Sequence, residues 1–410
     1  MALVFLHHVV GDLTVGKPEL AEFSEAETVE AAVRAIGDCA EGAIAVWRRR
    51  GAPSQQRPMP AAEPRAARFV GMLNSLDVVA FLARAGGDHE KAMRTPVSEV
   101  VTPSPSLLKE VDPGTRLIDA LEMMKQGVRR LLVRKCIAWK GFSKRFSILY
   151  NGKWLKNIDT SSPGAASSGG RPSSSSLPDD KFCLLSREDV VRFLIGCLGS
   201  LAPLPLSSIS SLGAITPRYA YIEASSSALE AVRKIPQDPC AIAVLETSSD
   251  GTHKIIGDIS ACKLWKCDYL AAAWAMANLS AGEFVMGADD NGTTPISLPD
   301  FTINSLVEDN GASSRPRKFS SRSIGFFSSQ ANQMAVGRLR SIYRGRSVPL
   351  TCKHTSSLAA VMAQMLSHRA THVWVTDAES EDDILVGVVS YSDVLYAVTK
   401  NPNNVVPPIP

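Results

Sequence analysis

The chain has 410 residues, 45% of them hydrophobic and 21% charged, with a net charge of +3. This length allows about two to four domains and a substantial core, while the near-neutral balance excludes a general nucleic-acid binder, which carries a concentrated basic surface. The charge is uneven, since residues 311–346 hold eight Lys or Arg and no acidic residue.

Met1–Val10 is apolar but has neither a basic start nor a small-residue cleavage site, so it does not read as a signal peptide. Phe193–Leu206 is interrupted by Pro203 and Pro205, and Tyr269–Gly287 by Glu283. Neither supplies the roughly 20 apolar residues of a membrane span. The expectation is a soluble intracellular protein, cytoplasmic or nuclear, with no membrane partner. The eight cysteines include no CxxC pair, which predicts reduced thiols and no metal site.

Taken along the chain, the elements repeat. Thr28–Ile36 has helical spacing and is followed by strand-like Ala43–Trp47 and Val70–Leu73. The same order returns as Arg116–Met124, Arg130–Val133 and Phe182–Leu185, then as Ser227–Ile235, Ala241–Leu245 and Ile255–Ile259. It closes with Ser357–Met365, His372–Val375 and Leu385–Val389. In all four helices the second, fifth, sixth and ninth positions are apolar, which puts them on one face. Between the second copy's strands, the aromatic and basic stretch around Asn151-Gly152 predicts an extra β-hairpin. Thr160–Pro178, rich in Ser, Gly and Pro, predicts a flexible linker.

Each last strand runs into a turn and another helix. Gly71/Asn74, Gly257/Ser260 and Gly387/Ser390 mark that turn, with Cys183/Ser186 in copy two. Three residues after the polar position stand Asp77, Asp189, Lys263 and Asp393. Ser-x-x-Asp at a helix start is a capping box, worth roughly 1 kcal/mol. The same carboxylate could accept two hydroxyl hydrogen bonds, and a helix N-terminus favours phosphate. No phosphate-binding loop, nucleophile elbow, zinc-protease or dinucleotide motif occurs. No enzyme activity and no catalytic residue is therefore expected.

The order of elements and the closing Gly-apolar-apolar-Ser-x-x-Asp turn resemble the CBS repeat, most clearly in GVVSYSDVLYAV of copy four. The whole chain resembles plant proteins built from four such repeats. The resemblance implies an α+β fold of four strand–helix–strand–strand–helix repeats, paired through their sheets into two Bateman modules. Repeats are expected at 12–86, 96–199 (insertion 137–180), 206–282 and 345–400, with a flexible basic linker at 283–344. It also implies a non-catalytic regulator that senses an adenosine-type ligand (AMP, ADP, ATP or S-adenosylmethionine) and modulates a partner enzyme or kinase. A homodimer through the CBS modules is a further expectation. The alternative is a ligand-free scaffold.

By the same resemblance, Ser390 and Asp393, Ser186 and Asp189, and Asp77 are candidate ligand residues, while Lys263 reverses the charge in copy three. His368 and Arg369 resemble residues that reach nucleotide phosphates, and are expected beside Ser390 and Asp393. No cofactor is required. Arginines near Ser320, Ser323, Ser341 and Ser347 make those serines candidate phosphorylation sites that change partner binding.

Overall fold

The computed structural model describes residues 4–49, 65–86, 88–135, 149–150, 153–154, 181–248, 251–286, 348–379 and 383–400. Four three-stranded sheets carry the fold. The first joins β1 (Phe23–Ser24), β2 (Ala43–Trp47) and β3 (Phe69–Asn74); the second joins β4 (Leu108–Val111), β5 (Arg130–Arg134) and β6 (Phe182–Ser186). The third joins β7 (Tyr221–Glu223), β8 (Ala241–Thr247) and β9 (His253–Ser260); the fourth joins β10 (Thr351–Lys353), β11 (His372–Thr376) and β12 (Leu385–Ser390). In each, the middle strand pairs parallel with the first and antiparallel with the third. The parallel pair is bridged by the predicted helix: α1 (Val29–Asp38), α3 (Leu117–Lys125), α5 (Ala228–Lys234) and α7 (Leu358–His368). The third strand leads into α2 (Ser75–Arg84), α4 (Arg187–Gly196), a broken helix in copy three, and α8 (Tyr391–Thr399).

Local chemistry starts these helices where the sequence places them. Thr28, Ser227 and Ser357 accept from the backbone N–H groups of Ala31, Leu229 and Ala360, satisfying donors that a helix start leaves unpaired. The predicted apolar faces are buried: Val29, Ala32 and Ile36; Leu117, Ala120, Leu121 and Met124; Leu358, Val361, Met362 and Met365. The expected hairpin is present as antiparallel Leu149–Tyr150 and Lys153–Trp154. The linkers at 160–178 and 288–340 lie outside the described residues.

Two kinds of core hold the repeats together. Sheets pair within each module. Ala45, Trp47 and Phe69 of repeat 1 pack on Leu108, Leu132 and Phe182 of repeat 2, and Ala241, Ala243, Leu245 and Ile255 of repeat 3 pack on Trp374, Leu385 and Val388 of repeat 4. Helices pair across the modules. One core merges the helix sides of repeats 1 and 3, the other those of repeats 2 and 4. Middle strands are thus covered on both faces: in β8, Ala241, Ala243 and Leu245 turn to the partner sheet while Ile242 and Val244 turn to the helices. The result is a closed ring of four repeats. Loops joining bridging helices to middle strands touch one another, since Arg130 pairs with Glu41 and Arg129 donates to the Gln237 carbonyl.

Candidate functional site

The four turns after β3, β6, β9 and β12 occupy equivalent places. In each sheet the residue before the second helix pairs with the first residue of the middle strand: Asn74 with Ala43, Ser186 with Arg130, Ser260 with Ala241, and Ser390 with His372. Equivalent backbone carries four different charge arrangements.

In repeat 4 the capping box is complete. Asp393 Oδ2 accepts from Ser390 N at 2.7 Å and Oγ at 2.6 Å, and Ser390 Oγ accepts from Asp393 N at 3.4 Å. The outer oxygen, Oδ1, accepts from the hydroxyl of Thr216 at 2.8 Å. Thr216 belongs to the segment entering repeat 3, which crosses β12 and exchanges backbone hydrogen bonds with Val388. Gly387 is required by this crossing, since a Cβ there would stand 2.5 Å from Ile215 Cγ2 and 3.0 Å from the Thr216 carbonyl.

Repeat 1 repeats the design. Asn74 Oδ1 accepts from Leu76 N and Asp77 N, and Asp77 Oδ2 accepts from Asn74 N at 3.0 Å. The segment entering repeat 2 crosses β3, placing the Thr102 carbonyl 2.6 Å from a Cβ at Gly71. Burial pushes the Asp77 carboxyl up to about 6, against the Asn74 N–H and the charge of Arg129 from repeat 2.

The other two ends are closed by an ammonium. In repeat 2, Lys17 from the segment entering repeat 1 sits 2.7 Å from Asp189 Oδ2, which also accepts from Ser186 N and Oγ. Arg192 holds the other oxygen at 3.3 Å. Burial alone would lower the Lys17 ammonium, but Asp189 and Glu41 reverse the sign and hold it above its ordinary value. In repeat 3, Lys263 replaces the carboxylate. Its Nζ lies 2.7 Å from the buried Asp258 and donates to the Val348 carbonyl at 2.8 Å. Burial would raise the Asp258 carboxyl, yet His372 at 3.5 Å and Lys263 outweigh it and keep it well below the usual carboxylate range. Ser260 makes no cap; its hydroxyl instead lies 3.3 Å from Cys262 Sγ. The helix stops after Ala261–Leu264 and restarts as Tyr269–Asn278 under a new cap, Asp268.

The expected cluster of Ser390, Asp393, His368 and Arg369 is only half assembled. His368 ends α7, and Arg369 takes a left-handed backbone at φ 52° that turns the chain toward repeat 3. Its guanidinium stacks 5.2 Å over the ring of Trp265 in repeat 3, beside Lys266 Nζ at 4.6 Å. No hydrogen bond or ion pair among the described residues joins His368 or Arg369 to Ser390 or Asp393. The geometric reason is pairing: the loop before one repeat's middle strand faces the second-helix turn of the partner repeat. By the same rule Arg129 of repeat 2 acts on Asp77 of repeat 1.

Two of three further participants escape a reading by local pattern. Lys17 lies 172 residues from Asp189. Asp238, in the repeat 3 loop, contacts Arg187 and Ser392. Thr216 had a visible signal, because Ile215-Thr216-Pro217 echoes Val101-Thr102-Pro103 ahead of another first strand. Ser320, Ser323, Ser341 and Ser347 lie outside the described residues. No cluster of metal-ligating side chains occurs among the described residues, and no described helix is long and apolar enough to cross a membrane.

Four sheet-paired repeats, each closing on a capped second helix, define a protein built from two Bateman modules. A family model for the CBS domain matches residues 341–400. CBS domain-containing protein CBSX6 of Arabidopsis thaliana is 63% identical over 99% of this chain and 97% of its own length. The chain therefore belongs to the family of CBS domain-containing proteins. An Arabidopsis thaliana SNF1-related protein kinase regulatory subunit gamma-like protein, PV42b, is 22% identical over 80% of this chain and 75% of its own length. Among solved structures, protein MJ1225 from Methanocaldococcus jannaschii is 13% identical, covering 95% of this chain and 99% of that one, with a TM-score of 0.49.

Proposed function

We propose that this chain is a non-catalytic, intracellular regulator in which each module binds an adenosine-type ligand at one end and thereby alters the surface presented to a partner enzyme. One observation carries the reading. Each module keeps one second-helix carboxylate that no ammonium among the described residues covers, Asp77 in the first and Asp393 in the second, while Lys17 and Lys263 close the other ends. A carboxylate at a helix start can accept both ribose hydroxyls while the backbone cap stays intact. Ser390, Asp393 and Asp77 are thus the ligand residues of this proposal. Ser186 and Asp189 form the end that Lys17 keeps shut. The relative described as a kinase regulatory subunit makes a protein kinase the proposed partner class.

Thermal denaturation of the full chain against adenosine, AMP, ADP, ATP and S-adenosylmethionine tests this. A ligand at 100 times its dissociation constant adds about 2.7 kcal/mol, a visible shift. Asp393→Asn and Asp77→Asn should each reduce it. An unmoved wild-type melting curve at saturating ligand contradicts the reading and leaves the ligand-free scaffold, which the two lysine-closed ends favour.

A further inference from the structure

We infer that the surface around Trp265 docks an acidic segment of this same chain, Asp289-Asp290, independently of any ligand. Trp265 follows the interrupted helix of repeat 3, and its Nε1 donates to the Ile36 carbonyl of repeat 1 at 2.9 Å. Gly42 of repeat 1 lies against the ring, where a Cβ would stand 3.0 Å from Trp265 Cγ. Two cations converge on this indole, Lys266 Nζ at 4.6 Å and the Arg369 guanidinium of repeat 4 at 5.2 Å. These are also the two non-glycine residues with a left-handed backbone among the described residues, at φ 66° and 52°, a conformation that side chains with a Cβ adopt only at a cost. Both residues are exposed, and no carboxylate among the described residues pairs with either. The acid next to them, Asp268, uses its Oδ1 to cap Leu270 N and Ala271 N.

The chain leaves and re-enters the described residues beside this surface. Helix Ala281–Met286 ends at an exposed Met286. Its Phe284 and Val285 line one small cavity with Lys263 and Leu264, the residues just before Trp265. On the return side Val348 is the first described residue, and its carbonyl accepts from Lys263 Nζ at 2.8 Å. An extended chain spans at most about 3.6 Å per residue, so Asp289 lies within about 11 Å of Met286 and Asp290 within about 14 Å. Lys263 is already matched by Asp258 at 2.7 Å, which leaves Lys266 and Arg369 as the cations this pair can meet. The charge pattern is complementary: residues 287–314 carry five acidic residues and no Lys or Arg, whereas 311–346 carry eight Lys or Arg and no acid. Exposed ion pairs are individually weak, but so short a tether gives a high effective concentration and makes two of them enough.

Carbodiimide, which joins amines to carboxylates in contact, tests this on the full-length chain, with the links mapped by mass spectrometry. Lys266 should link to Asp289 or Asp290, and within one chain when isotope-labelled and unlabelled chains are mixed. Arg369→Gln removes no reactive group yet should cut the yield about threefold, because one of two exposed ion pairs is lost. Salt at about 1 M should do the same by screening. As a second readout, Asp289→Asn with Asp290→Asn should raise labelling of Lys266 by an amine-reactive ester about threefold, with exposed Lys91 as the reference. Should Arg369→Gln melt early, this labelling decides. A Lys266 link whose yield ignores both Arg369→Gln and salt overturns the inference, as do links from Asp289 and Asp290 to Lys318 instead, or links between labelled and unlabelled chains. Absence of any Lys266 link, with its labelling unchanged in the Asn variant, overturns it equally.

Discussion

Lys17→Met isolates the contact that closes repeat 2. Lys17 Nζ lies 2.7 Å from Asp189 Oδ2 and 3.7 Å from Glu41, with the two paired side chains only 13% and 7% exposed. Removing one partner of a buried pair costs about 3–5 kcal/mol, because the other charge stays buried. Arg192 remains on Asp189 Oδ1 at 3.3 Å, and the capping box still feeds Oδ2, so the expected loss is near the low end, about 3 kcal/mol. For a module-sized unit that corresponds to a fall of roughly 8 °C in melting temperature. Asp189→Asn in the same background removes the orphaned charge and should recover much of the loss. Urea unfolding of wild type, both single variants and the double variant gives the coupling, expected at about 2 kcal/mol. Coupling below about 0.5 kcal/mol, the additivity expected of independent sites, would refute the view that this ammonium occupies the carboxylate.

Gly71→Ala drives a Cβ to 2.6 Å from the Thr102 carbonyl and should cost about 1–3 kcal/mol by overpacking, read as a lower urea midpoint; an unchanged midpoint means the crossing segment yields freely. Lys263→Asp restores the carboxylate of the other repeats yet should destabilise by about 3 kcal/mol, since the buried Asp258 loses its cation at 2.7 Å and gains a like charge; a rise in melting temperature would contradict this. The pH dependence of Asp77 has a definite sign. Its carboxyl is raised from 3.8 to about 6, so the native state binds the extra proton. That stability is present at low pH and lost as pH rises through about 6. Asp77→Asn should flatten the stability profile between about pH 4 and 6, and ligand at this end should tighten as the carboxylate ionises above about pH 6; a pH-independent affinity at the Asp77 end would count against it.

The repeat itself was legible because its signals are local. Four helices share one apolar spacing, and Asn74, Ser186 and Ser390 cap the next helix with the acid three residues on. The sheet-to-sheet pairs within modules were also within reach, since a half-covered sheet needs a partner. Which helices meet was not. The apolar faces of α1, α3, α5 and α7 are chemically alike, so nothing in Val29 or Leu358 says that repeat 1 packs on repeat 3 and repeat 2 on repeat 4. The candidate site suffered from the same limit. His368 and Arg369 are near Ser390 and Asp393 in sequence, but the left-handed turn at Arg369 commits its guanidinium to Trp265 across the module. Lys17 and Asp238 act only through contacts that folding creates, 172 residues from Asp189 and 154 from Ser392.

The central claim is that each module keeps one open carboxylate end. Equilibrium dialysis of the full chain against saturating adenosine measures it directly. About two molecules per chain are expected, about one after either Asp77→Asn or Asp393→Asn, and none in the double variant. Stoichiometry that falls with Asp189→Asn instead, or that survives loss of both Asp77 and Asp393, would contradict the account.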